Sequence, residues 1–253
     1  GKRTLFVMAS GFDPRCLSGL RRFVTAVGIP RVFAIQPQGH ADRPDSDAER
    51  RRADNFTELA KIAGDRLVTM DYPTVHDESS AGRLFAQRLT TGESLLDIDS
   101  VVFDISSFPT SLSFPALTAL LEICGTEAGP RELQVLVTEN AELDDAIVKG
   151  SLGDAHTLAG FGAGTRAARA AARVRVWVPV LGAQGLGELQ RVSAFLDPSE
   201  VYPVLPFPSS DPRRSDFLLT QHRELLLEEF ELKPNNFIFA DEHNPFDLYR
   251  TLV

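Results

Sequence analysis

Short runs of β-branched and aromatic residues alternate along the chain with segments whose apolar positions recur at helical spacing. The first run, Thr4 to Ala9, is apolar at nearly every position. An unbroken apolar run of that length marks a strand buried on both faces. It stops at Ser10-Gly11-Phe12, and Asp13-Pro14 follows. Aspartate caps helix starts, and proline's fixed φ suits the first helical turn. Leu17, Leu20, Phe23, Val24 and Val27 then fall on one helical face, and Gly28-Ile29-Pro30 ends it. Arg31 to Ile35 is the second predicted strand, so one β-α-β unit closes within about 35 residues.

The alternation continues. A polar stretch from Pro37 to Asp54, with Arg50-Arg51-Arg52 inside it, leads to a helix over Asn55 to Ala63 that Gly64 stops. Further strands are predicted over Arg66 to Tyr72, Ser100 to Ile105, Leu133 to Thr138, Val174 to Leu181, Val201 to Leu205 and Phe237 to Ala240. Helices are predicted over Ala81 to Leu89, Phe114 to Cys124, Thr165 to Arg173, Gly187 to Phe195, Asp216 to Phe230, and from Asn244-Pro245 to the chain's end. Strands alternating with helices predict an α/β fold: a doubly wound, mostly parallel, Rossmann-like sheet. A closed eight-fold barrel also fits the length. The uneven units and the Gly/Ala/Asp-rich stretch from Glu139 to Arg173 favour the open sheet. The expected organisation is a Rossmann-like lobe over residues 1–140 and a Gly/Ala-rich connection over 141–173. Residues 174–253 then form a second part of the same sheet or a second lobe.

Composition narrows the function classes. The 253 residues carry 35 acidic and 26 basic side chains, net −9. That balance argues against generic nucleic-acid coating, which runs on phosphate neutralisation. No stretch approaches the roughly 20 apolar residues of a membrane span. Two cysteines, Cys16 and Cys124, make neither a disulfide framework nor a zinc site. With no secretory pattern after Gly1-Lys2-Arg3, a cytoplasmic protein is expected. The ending within a predicted helix suggests a larger parent chain.

In an open α/β sheet, ligands sit beyond the carboxyl ends of the strands where the strand order reverses. The candidate residues are therefore those of the strand-end loops. In the first loop Gly11 permits a tight turn, Asp13 caps a helix, and Arg15 is placed to close over an anion. In the loop after the fourth strand, Asp104 is suited to a sugar hydroxyl, and Ser106 and Ser107 to phosphate oxygens, although Ser and Thr are also ordinary turn residues. Gly182, Gly185 and Gly187 follow a strand and precede a helix, the context of a phosphate loop. Their G-x-x-G-x-G spacing is neither the dinucleotide fingerprint nor a P-loop. Gly160 to Thr165 is also glycine-rich and reads as a connection. Arg166, Arg169 and Arg173 share one helical face, a solvated face or a groove for phosphates or an acidic partner. The histidines, His40, His76, His156, His222 and His243, show no metal-binding spacing, so no metal is expected. Asp241-Glu242-His243 is the best acid-base cluster, and Glu139, just past the fifth strand, stands as a lone carboxylate. Glu139, Asp104 and His243 are the candidate catalytic residues. No motif names a cofactor.

Leu5 to Asp13 (Leu-Phe-Val-Met-Ala-Ser-Gly-Phe-Asp) resembles the first strand and loop of Rossmann-like sensor domains in prokaryotic defence systems, the CARF-like and SAVED-like group. Val102 to Thr110 (Val-Phe-Asp-Ile-Ser-Ser-Phe-Pro-Thr) resembles their later strand and its hydroxyl-bearing loop. The resemblance implies a nucleotide-type ligand across the strand ends of a signalling or antiviral defence protein. That group's later loop carries Gly-Gly-Thr-Lys-like residues, where this chain has Ser106-Ser107 and no lysine. The chain is similarly close to TIR-like and deoxyribosyltransferase-like enzymes, which would make Glu139 or Asp104 the carboxylate acting on an N-glycosidic bond. Three expectations follow: a nucleotide-type ligand-binding domain, a nucleotide- or NAD-cleaving enzyme on the same fold, or a protein-interaction module without a small ligand.

Overall fold

The computed structural model describes residues 2–36, 47–72, 78–91, 95–124, 126–127, 129–140, 143, 155, 157–158, 174–182 and 185–252. The glycine-rich 160–165 segment, the Arg166 to Arg173 face, and His40, His76 and His156 lie outside these residues. The chain divides into two compact units, residues 1–148 with 157–162, and residues 149–156 with 163–253.

The first unit is a doubly wound α/β fold. Strands β1 (Thr4–Ala9), β2 (Arg31–Gln36), β3 (Leu67–Asp71), β4 (Ser100–Asp104) and β5 (Glu132–Leu136) form one open, all-parallel sheet in the order β3-β2-β1-β4-β5. The chain runs outward from β1 through β2 to β3, then returns across the sheet to β4 beside β1. The order therefore reverses between β1 and β4, which makes their carboxyl ends the topological switch point.

Strand periodicity sends alternate side chains to opposite faces. Phe6, Met8, Val32, Ala34 and Val102 pack with Leu17, Leu20, Leu59 and Ala63 on one side. Those partners come from α1 (Ser18–Ala26), the 3-10 turn Pro14–Leu17 before it, and α2 (Asp47–Ala63). Leu5, Val7, Phe33, Ile35, Val101 and Phe103 pack on the other side, with Phe85 and Leu89 of α3 (Glu78–Thr91) and Leu112, Ala116 and Leu120 of α4 (Thr110–Cys124). Both faces are covered, which is why β1 reads as an unbroken apolar run.

Helix α2 begins at Asp47, eight residues before the predicted start at Asn55. Its first two turns carry Arg50 on Asp47 and Arg52 on Glu49, pairs at i, i+3. Such a solvated turn has no apolar stripe to reveal it. Helix α4 runs through Pro115. A Cβ on Gly82 of α3 would lie 2.2 Å from the Ser111 carbonyl of α4, so the glycine lets the two helices approach closely.

In the second unit, two strands predicted as continuous are broken by proline. Of Val174 to Leu181, only Val176–Trp177 (β6) is strand, with an isolated bridge from Val180 to Val204 beyond Pro179. The run Val201 to Leu205 splits around Pro203 into β7 (Glu200–Val201) and β8 (Val204–Pro206). Proline has no N–H to give a ladder. β7 pairs with β6, and β8 pairs with β9 (Ile238–Ala240), each pair parallel. The described residues of the unit also form helices α5 (Leu186–Leu196), α6 (Arg214–Gln221) and α7 (Pro245–Leu252), a π-helical turn, Glu224–Glu229, and a 3-10 turn, Pro234–Asn236. Trp177, Leu189, Val201, Leu205, Leu218, Leu225 and Leu226 form its core.

Candidate functional site

The carboxyl ends of β1 and β4 bring together part of the set that the strand-end loops predicted. After β1, Ser10 is buried, and its N–H donates to the Ile35 carbonyl at 2.8 Å. The buried Gly11 turns the chain, and its carbonyl accepts from Asn55 Nδ2 of α2 at 2.8 Å. Asn55 also reaches the Asp13 carbonyl at 3.3 Å, so one side chain holds the whole β1 loop. Asp13 caps the 3-10 turn, with Oδ1 accepting the Arg15 N–H at 2.8 Å and Pro14 following.

Arg15 turns its guanidinium onto Asp13, with Nη2 2.7 Å from Oδ2 and Nε 3.0 Å from Oδ1. Burial pushes the Asp13 carboxyl up, but the side-chain and backbone hydrogen bonds from Arg15 outweigh it and hold the group below the usual aspartate range. An anion approaching Arg15 must therefore compete with Asp13. Cys16, just beyond, is buried, and burial raises its thiol to about 11.

Asp104 closes β4 and is 2% exposed. Its Oδ1 accepts the Ser106 N–H at 3.0 Å and the Ser106 hydroxyl at 2.5 Å. The Ser106 Oγ in turn accepts the Thr138 N–H at 2.8 Å. This relay ties the β4 loop to the chain leaving β5. Ser107 donates its hydroxyl to the Ala9 carbonyl at 3.0 Å, tying the β4 loop to the end of β1. Both hydroxyl protons that were expected to meet a ligand are thus directed at the protein. Burial raises the Asp104 carboxyl above its ordinary value, although the two bonds from Ser106 oppose the shift.

The second oxygen of Asp104 faces the first turn of α1. A Cβ on Gly19 would lie 2.2 Å from Oδ2. Gly19 is thus required by close approach of a carboxylate to helix backbone. Asp104 Oδ2 and Ser10 Oγ are buried and have no hydrogen-bond partner among the described residues. Among the described residues of the first unit, these are the two side-chain atoms in that condition, and both sit at the switch point. Glu139 is exposed, three residues past β5.

The other predicted residues belong to the second unit. Gly185 caps α5, and its N–H donates to Glu188 Oε2 at 2.8 Å. A carboxylate of the protein therefore already occupies that helix start. Gly182 lies before the cap and Gly187 in the first turn of α5. His243 is in the loop after β9, where its Nε2 lies 2.9 Å from Ser210 Oγ.

Three contributors were missed in the sequence. Gly19 carried a signal, since a glycine inside an amphipathic helix marks close packing. Ser10 and Asn55 carried none, because their roles arise from contacts across elements.

A cavity of about 680 Å³ lies at the opposite, amino end of the sheet, among Arg3, Phe23, Val27, Arg31, Arg66 and Leu96. Of its cations, Lys2 pairs with Glu132, Arg3 with Asp97 and Asp99, and Arg66 donates to the Ile29 carbonyl. It shares no lining residue with the switch point. Among the described residues, no cluster of His, Cys, Asp or Glu is arranged to hold a metal, and no helix is long and apolar enough to cross a membrane.

The fold defines a doubly wound, Rossmann-like α/β protein. The chain matches no protein-family model, no curated protein and no solved structure.

Proposed function

We propose that the first unit is a nucleotide-type ligand-binding domain whose site lies beyond β1 and β4. One observation carries this reading: among the described residues of the unit, the two unpartnered buried side-chain atoms, Ser10 Oγ and Asp104 Oδ2, coincide with the topological switch point. Folded proteins satisfy nearly all buried polar groups, and exceptions concentrate where a site is built. The helix start after Gly11 is already capped by Asp13, whose Oδ1 accepts the Arg15 N–H, so a phosphate or carboxylate would bind there by displacing that side chain. Gly11 and Ser10 are both buried, so a ligand meets the Ser10 hydroxyl only once the β1 loop shifts. Asp104 orients the loops through Ser106, and Arg15 joins a phosphate only by releasing Asp13. The resemblance to CARF-like and SAVED-like domains supports a role in prokaryotic signalling or defence. The enclosure of Asp104 favours this positioning role over direct action on an N-glycosidic bond.

The test is a thermal-shift panel of NAD, ATP, GTP, cyclic dinucleotides and cyclic oligoadenylates, with each mixture then separated by HPLC. A ligand at a hundredfold excess over Kd stabilises the folded state by about 2.7 kcal/mol. The expected result is a rise in melting temperature with one ligand class, intact on HPLC, and reduced in Ser10→Ala. A new product peak would replace this reading with an enzyme. No shift across the panel would overturn it in favour of a protein-docking module.

A further inference from the structure

The loops after β8 and β9 lie side by side, because parallel neighbouring strands deliver their carboxyl ends to one edge. Three contacts join them. The Ser210 hydroxyl lies 2.9 Å from His243 Nε2, the Ser210 N–H donates to Glu242 Oε2 at 3.0 Å, and the Glu242 N–H donates to the Pro208 carbonyl at 3.0 Å. Arg214 Nε holds the other oxygen of Glu242 at 2.9 Å. Asp241 Oδ1 accepts the His243 N–H at 2.8 Å, which fixes the backbone beneath the imidazole. Ser210 and His243 are both exposed, so the pair meets solvent.

We propose that Ser210 and His243, both of the second unit, are a nucleophile and general base for acyl transfer. A serine hydroxyl within hydrogen-bond reach of an imidazole is the activated arrangement such chemistry needs. With the ring proton on Nδ1, Nε2 accepts the Ser210 proton. Ser210 Oγ attacks the acyl carbon of an ester as that proton passes to Nε2. The bond to the leaving oxygen then breaks, and that oxygen departs as an alcohol carrying the proton. Water next attacks the acyl carbon, gives its proton to Nε2, and the bond to Oγ breaks as Oγ recovers it. The Asp211 N–H, next along the chain, bonds to nothing among the described residues and is available to the developing oxyanion. Asp211, Asp241 and Glu242 lie beside the pair, against Arg214 on Glu242 and Arg213 next to it, a net negative balance that disfavours anionic substrates. Phe207, three residues before Ser210, and Phe239 of β9 are both exposed with ring centroids 6.3 Å apart, an apolar patch on the same pair of strands. The substrate class is a neutral or cationic ester with an apolar acyl group.

The experiment labels the full chain with an uncharged alkyl fluorophosphonate and maps the adduct by peptide mass. The expected result is one adduct, on Ser210, that is lost in Ser210→Ala and kept in Ser209→Ala. His243→Ala should slow labelling about a hundredfold, the scale of general-base catalysis, and added imidazole should restore part of the rate. A pair that merely clasps the two loops would show no such rescue. No adduct on Ser210, or labelling of the His243→Ala chain at the wild-type rate, overturns the proposal. Circular dichroism of each variant confirms that it is folded.

Discussion

Replacing Gly19 with alanine tests the packing at the switch point most directly. In an exposed helix, Gly→Ala stabilises by about 1 kcal/mol, because glycine loses more backbone entropy on folding. At position 19 the new Cβ would lie 2.2 Å from Asp104 Oδ2, 3.1 Å from Asp104 Cγ and 2.7 Å from Leu136 Cδ2. Leu136 can yield, being the far end of a flexible side chain. Asp104 cannot, because Ser106 holds its Oδ1 by two hydrogen bonds. Overpacking a rigid site costs up to about 3 kcal/mol. Steric cost outweighs helix propensity, leaving a net loss of about 2 kcal/mol. For a unit of this size that lowers the melting temperature by about 4–8 °C. The assay is urea denaturation of wild type, Gly19→Ala, Asp104→Ala and the double variant. In the Asp104→Ala background the carboxylate is gone, so Gly19→Ala should become neutral or stabilising. The coupling between the two sites should exceed about 1 kcal/mol. If Gly19→Ala stabilises the wild-type chain by the ordinary helical amount, or the two changes simply add, the close approach is refuted.

Two further outcomes follow from the same loops. Burial raises the Asp104 carboxyl, so the folded chain binds its proton more tightly than the unfolded chain does. Wild type therefore carries no penalty from this group below the unfolded aspartate pKa, and loses stability as pH rises through that value and the raised folded one. Asp104→Asn keeps the acceptor for Ser106 and removes this loss, so its stability relative to wild type should increase with pH over that window. Urea midpoints measured across it for both chains check this, and a pH-independent difference would refute it. Cys16 is buried with its thiol raised to about 11, whereas Cys124 is raised by burial but partly exposed. Iodoacetamide near pH 8 should alkylate Cys124 first in the native chain, and equal rates by peptide mapping would contradict the burial of Cys16.

Much of the fold was legible because its causes are local. The apolar run from Leu5 to Ala9, the cap at Asp13-Pro14 and the alternation of strand and helix depend on residues near in sequence, and they define a parallel sheet covered on both faces. The loop after β4 was legible as well, because Asp104, Ser106 and Ser107 end a buried strand. Where a segment lacks an apolar stripe, as in the charged start of α2, periodicity is silent. Where proline divides a run, as at Pro179 and Pro203, hydrophobic pattern overstates the strand. The order β3-β2-β1-β4-β5, and with it the switch point, was decided by tertiary structure. So were the hold of Asn55 on the β1 loop, the turn of Arg15 onto Asp13, and the meeting of Ser210 with His243 across the ends of β8 and β9. These contacts join residues that only the folded chain brings together. Their energies depend on distance and burial, quantities that spacing along the sequence does not contain.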